Sequence, residues 1–127
     1  MEYVTIVAML ALLEFMFFGI KVAQARGRYA VAAPATTGHE VFERYYRVQM
    51  NTLEQLVIFL PALVAFAWLS SPQWAVALGV LFLVGRAVYY RSYIVAPKKR
   101  GLGFLLTAVA NVALVIGAIA GALVRAL

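Results

Sequence analysis

Four apolar runs separated by short polar breaks dominate the chain: Tyr3–Ala23, Leu56–Leu69, Trp74 to about Val95, and Leu102–Leu123. A helix needs about 20 mostly apolar residues to cross the hydrocarbon core of a bilayer, and the first, third and fourth runs supply them. The second is too short alone. It suffices if its helix starts near Glu40, giving about 30 residues and about 45 Å, with the polar first half at and beyond the membrane surface. The pattern predicts helices over about 2–24, 40–69, 73–95 and 102–125, forming a single transmembrane domain across 1–127. Short connections favour antiparallel neighbours, so the expected fold class is all-α, a four-helix up-down bundle. Pro61 is expected to bend the second helix, because it removes a donor and crowds the preceding turn. Gly117-Ala118-Ile119-Ala120-Gly121 spaces two glycines by four, which lets helices approach closely.

Composition agrees with the pattern. The chain is 65% hydrophobic and 13% charged, where a soluble domain carries about 25% charged residues. It has no cysteine, which excludes disulfides, thiolate metal sites and a cysteine nucleophile. Any thiol chemistry must use a thiol brought by a ligand. The single histidine, His39, sits in a polar loop and reads as a solvated residue, and no ligand set for a metal converges around it. The net charge of +6 comes from basic residues beside the apolar runs, which fits membrane topology better than nucleic acid.

Lys and Arg placement sets the expected orientation. The first connection carries Arg26 and Arg28, flanked by Lys21, Arg44 and Arg47, and the third carries Lys98, Lys99 and Arg100. The second, Ser70-Ser71-Pro72-Gln73, has no charge. The positive-inside rule puts both basic loops in the cytoplasm and both termini outside, with Tyr3, Trp68 and Trp74 as an outer aromatic belt. Glu2 and the length of the first run favour a retained span over a cleaved leader.

The candidate chemistry lies at the basic end. At 100° per residue, Glu40, Glu43, Arg44, Arg47, Asn51 and Glu54 share an arc of roughly a third of a turn, while Gln49 points the other way. On the third helix Arg86, Tyr89, Tyr90 and Tyr93 recur at spacings of three and four, which aligns them on one face. Each piece has a plain alternative: a Glu43–Arg47 surface ion pair, an inner aromatic belt, a topology signal at Lys98–Arg100. Together they exceed those alternatives, because a belt needs no Arg86 or Asn51 at membrane depth. Arginines suit carboxylates, Glu54 an ammonium, and Asn51 and the tyrosines amides, so a small zwitterionic peptide fits. A lipid-facing groove beside it would take an apolar second substrate. Glu14, near the middle of the first helix, is expected to be protonated or paired, with Arg86 or across the trimer axis, and the sequence assigns it no role.

Phe42-Glu43-Arg44, Tyr46-Arg47-Val48-Gln49-Met50-Asn51, Glu54 and Phe59-Leu60 resemble the signature of the MAPEG family, the membrane-associated proteins in eicosanoid and glutathione metabolism. Gly85-Arg86, Tyr89, Tyr93 and Lys98-Lys99-Arg100 match its third-helix pattern in register, so the resemblance covers essentially the whole chain. It implies a homotrimer binding glutathione between subunits, through Arg47, Asn51, Glu54, Tyr89 and Tyr93 of one protomer and Arg26 and Gln49 of its neighbour. Arg100 would stabilise the glutathione thiolate. Two positions depart from the leukotriene-making members: Gln55 replaces a tyrosine, and Gly27 replaces the second of two arginines, although Arg28 follows. Those departures favour a general transferase or peroxidase, acting in detoxification on hydrophobic electrophiles or lipid hydroperoxides in a bacterial inner membrane. A non-catalytic lipid-binding or scaffolding protein of the same fold is the alternative. A small multidrug exporter would share the four helices and Glu14 but would not need polar residues clustered at one end.

Overall fold

The computed structural model describes residues 1–127 as four long helices with no strand: α1 Glu2–Tyr29, α2 Glu40–Leu69, α3 Pro72–Val95 and α4 Gly101–Ala126. The shortest, α3, has 24 residues, about 36 Å at 1.5 Å per residue, enough to cross about 30 Å of hydrocarbon. Consecutive helices run antiparallel, so α1 lies parallel to α3 and α2 parallel to α4. Large apolar side chains remain exposed on every helix, among them Met16, Val57, Val84 and Ile116. A continuous apolar exterior of this kind faces lipid, and the chain is an integral membrane protein.

Helix ends follow local chemistry. α1 continues to Tyr29, beyond the expected end near 24, because Arg26 and Arg28 favour the negative pole of a helix even where the apolar run has stopped. It closes on Ala30 in the left-handed conformation (φ 55°). His39, expected to be simply solvated, instead caps α2: its Nδ1 accepts the Val41 N–H at 3.1 Å, and its ring stacks on Tyr29 at 4.0 Å. Glu40 and Glu43 complement that positive end. At the start of α3 the Ser71 hydroxyl accepts the Trp74 N–H at 3.3 Å, next to Pro72. α2 stays one helix through Pro61.

The core centres on Phe59 and Phe82, stacked at 3.9 Å between α2 and α3, with Val7, Ala11, Leu63 and Leu114 around them. α4 gets close enough to seal this core through glycines. A β-carbon on Gly117 would collide with the Phe66 ring, one on Gly121 with the end of α2 at Leu69 and Ser70, and one on Gly103 with the Tyr89 backbone. The Ser70 hydroxyl also donates to the Gly117 carbonyl at 2.7 Å. We expect Gly103→Ala to destabilise the protein by about 1–3 kcal/mol, as overpacked sites do. Gly27→Ala, with nothing within 4 Å, should instead be neutral or gain up to about 1 kcal/mol. Thermal melts of both variants in one detergent would check this, and equal melting temperatures would refute it.

Candidate functional site

Arg86 is the innermost charged residue, with 0% of its surface exposed. A guanidinium at this depth must be held from several sides. Its Nε donates to Thr107 Oγ1 of α4 at 3.0 Å, and its Nη1 donates to Asn51 Oδ1 at 2.7 Å and Thr52 Oγ1 at 3.3 Å, both of α2. The two threonines give their own protons to backbone carbonyls, Val48 at 2.8 Å and Gly103 at 2.9 Å, which leaves their oxygens free to accept from Arg86. The guanidinium also lies over the Tyr89 ring, 4.4 Å from its centroid. One residue thus ties α2, α3 and α4 together.

Arg86 Nη2 has no partner, and neither has Glu14 Oε1, although both are buried. The expected Glu14–Arg86 ion pair does not form as a direct contact.

Above this hub, where α2 begins and α3 ends, lies a polar cleft of ≈ 350 Å³ that includes Arg47, Tyr93, Arg44, Glu40 and Glu43. Its charges are divided among distinct tasks. Arg44 bonds Glu40 at 2.6 Å and donates to the last carbonyls of α3, Ile94 at 3.2 Å and Val95 at 3.1 Å, so it caps that helix. Glu43 accepts the Gly38 N–H at 3.2 Å, so the Glu43–Arg47 pair allowed by their spacing is not made. Arg47 reaches two turns along α2 to Glu54 at 2.9 Å, with the side chains 47% and 57% exposed. An ion pair this open stabilises the fold by no more than about 1 kcal/mol and is available to a ligand.

Tyr89 joins the cleft to the hub. It is buried, stacks on Tyr93 with centroids 5.4 Å apart, and has Arg47, Arg86 and Arg100 within electrostatic reach. Tyr90 leaves this group. It lies 100° further round α3 and stacks on Phe18 of α1 at 5.1 Å. Arg100 is exposed at the N-cap of α4, a helix start that no side chain caps. Asn51 is buried and committed through its oxygen to Arg86.

Arg26 and Gln49 stand apart from the cleft. Arg26 donates to the Ala35 carbonyl at 2.7 Å and covers the Phe42 ring at 4.8 Å, while Gln49 rests against Gly19 of α1. The residues that sequence reasoning missed are Thr52, Thr107 and Asn111. Asn111 donates to Gln55 Oε1 at 3.0 Å across α2 and α4, at the head of an apolar groove of ≈ 380 Å³. Thr107 and Asn111, four apart in an otherwise apolar helix, were the available signal.

Comparison with known proteins agrees with this arrangement. The chain is 45% identical to an uncharacterized protein of Synechocystis sp. over 114 residues, covering 90% of this chain and 83% of that one. It is 37% identical to microsomal glutathione S-transferase 2 of Homo sapiens over 101 residues, 80% of this chain and 69% of the relative. With leukotriene C4 synthase of Bos taurus it shares 35% identity over 95 residues, 74% and 63% of the two chains. Its residues 4–120 match the MAPEG family as a whole. By the match to the family and the identity to its members, the chain belongs to the MAPEG family.

Proposed function

We propose that the protein is a glutathione-dependent transferase of the membrane, joining the thiol to hydrophobic electrophiles and reducing lipid hydroperoxides. The observation that carries this reading is the open Arg47–Glu54 pair beside the cleft, together with Tyr93 of the cleft stacked on Tyr89, against which the first turn of α4 packs at Gly103. A zwitterionic amino-acid end can replace that pair group for group: its carboxylate takes Arg47 and its ammonium takes Glu54. Asn51, Tyr89 and Tyr93 then meet the peptide amides. The names of the relatives above support glutathione as the thiol.

Arg100 is the proposed catalytic residue. A free thiol with pKa near 8.5 is mostly protonated at neutral pH, and a cation beside it favours the thiolate. The unsatisfied N–H groups at the start of α4 add partial positive charge at the same place. The thiolate sulfur then attacks the electrophilic carbon of a substrate whose apolar body lies in the α2–α4 groove below Gln55. As the C–S bond forms, a leaving group departs with its electron pair or, in an activated alkene, the π pair moves to the neighbouring carbon, which takes a proton from water. With a hydroperoxide, the sulfur takes the distal oxygen, an alcohol leaves after protonation, and a second thiol forms the disulfide and water.

The working unit in this reading is a homotrimer in a bacterial inner membrane, basic loops in the cytoplasm and both termini outside. Arg26 and Gln49, which stand away from their own cleft, would complete the neighbour's. Native mass spectrometry of the purified protein should find trimers, and a population of monomers and dimers alone would end the shared-site reading.

Arg47→Ala and Glu54→Ala test the cleft itself. Each should weaken glutathione binding by about 2–5 kcal/mol, since the remaining charge loses its partner in the complex. Stability should change by less than about 1 kcal/mol, because the pair is half-exposed. Calorimetric titration in detergent alongside thermal melts separates the two effects. Wild-type affinity in both variants would make the pair a surface feature.

A further inference from the structure

On the side of α1 away from Arg26, a second recess runs between α1 and α3. Leu10, Glu14, Phe17, Lys21 and Arg28 fall within an arc of about 60° on α1. They follow a groove of ≈ 760 Å³ whose walls include Leu13, Phe17, Leu83, Ala87 and Tyr90. Leu10, Leu13 and Phe17 are each more than 40% exposed, so the groove opens sideways to the bilayer. At its basic end is a notch of ≈ 60 Å³ formed by Lys21, Gln24, Arg28, Tyr29 and Tyr45, room for a few waters or one phosphate group.

Groove and notch are neighbours. Lys21 Nζ sits 5.4 Å from the centroid of Phe17, a groove wall, and Tyr45 of the notch lies 6.2 Å from Tyr90 of the groove. Neither Lys21 nor Arg28 has an acidic partner, and no acidic residue lines the notch. Arg91 adds a further unpaired cation to the groove wall. Glu14 lies on the groove floor with Oε1 buried inward, within electrostatic reach of Arg86.

We infer that this recess holds an anionic phospholipid, with its phosphate in the Lys21–Arg28 notch and one acyl chain in the α1–α3 groove. Basic recesses between membrane helices favour such headgroups, and the apolar length below fixes the occupant as a lipid rather than a free phosphate. The second acyl chain remains in the bilayer. None of the residues lining the notch or the groove lines the polar cleft, so this site stands independently of the transferase reading.

Native mass spectrometry of the full chain in detergent, titrated with phosphatidylglycerol or phosphatidylcholine of matched chains, decides the matter. Each basic residue near a headgroup is worth about fivefold, so the wild type should prefer phosphatidylglycerol by about thirtyfold. K21Q/R28Q should bring that preference near parity, and the charge-conserving K21R/R28K should keep it. Ala87→Trp, which fills the groove, should reduce retention of both lipids, and it decides alone if the charge-stripped protein is not recovered. Equal binding of the two lipids by the wild type, a preference that survives K21Q/R28Q, or Ala87→Trp with undiminished lipid would overturn the inference. Displacement of the lipid by inorganic phosphate at equal concentration would do the same.

Discussion

Arg100→Ala should lower turnover sharply while leaving glutathione bound. If the guanidinium lowers the thiol pKa by about two units, from about 8.5 to about 6.5, the bound thiol at pH 7 is about 76% thiolate, against about 3% without it. Turnover at that pH should fall about 25-fold, while the dissociation constant should rise only about fourfold, the amount that the same pKa shift requires by linkage. The sign of the pH dependence is fixed by the same argument. The advantage of a depressed thiol pKa is greatest, about 100-fold, below the depressed value and disappears above the free value, so the variant should regain activity as pH rises through about 8.5. The ultraviolet absorbance of bound thiolate should fade at pH 7 and return along the same curve. Lys98 and Lys99, exposed in the 3-10 turn before Arg100, should be replaceable with little effect. Full activity with an unshifted pH profile in Arg100→Ala would remove Arg100 from the chemistry.

Arg86 should give the largest loss of fold and site together. Arg86→Ala leaves a cavity among three helices and strips the donor from Asn51 Oδ1, Thr52 and Thr107, at a cost of about 3–5 kcal/mol. Arg86→Met refills most of the volume without the buried charge, so its stability should be closer to wild type. Both variants should lose glutathione affinity to a similar degree, because Asn51 and Tyr89 are no longer held in place. That split identifies positioning, since a purely structural role would let affinity recover with stability. Melting curves and titrations of the two variants supply the test, and Arg86→Met with wild-type affinity would contradict it.

The helices were legible in the chain because lipid imposes a simple demand: long apolar runs with all backbone groups satisfied internally. Their ends were less so. The last turn of α1 is polar yet helical, and hydropathy cannot see the favourable placement of Arg26 and Arg28. The polar residues of α2 and α3 were found because charged groups stand out against apolar neighbours. Their division of labour was hidden, since periodicity places Arg44, Arg47 and Asn51 on one arc without saying which neighbour each meets. Contacts between helices decided that: Ile94 and Val95 claimed Arg44, and Arg86 claimed Asn51. Tyr90 was misplaced for a related reason, because 100° is enough to move a side chain from one helix interface to the next.

The tie between Arg44 and the end of α3 limits how the cleft can admit a molecule. Glu40, Arg44 and the Ile94 and Val95 carbonyls lace two of its walls together at the rim, so splaying α2 from α3 breaks charged hydrogen bonds. The cleft is also lined by Thr36, in the stretch 32–38 that is exposed throughout. That stretch is fastened to the helices by Arg26 at Ala35 and by Glu43 at Gly38. One side of the cleft is thus tied helix to helix, and another is formed by an exposed connection held at Ala35 and Gly38. Under the proposed function, discrimination among peptides of different length falls to the connection between α1 and α2, and shortening or stiffening that connection should retune the choice of thiol without altering Arg100.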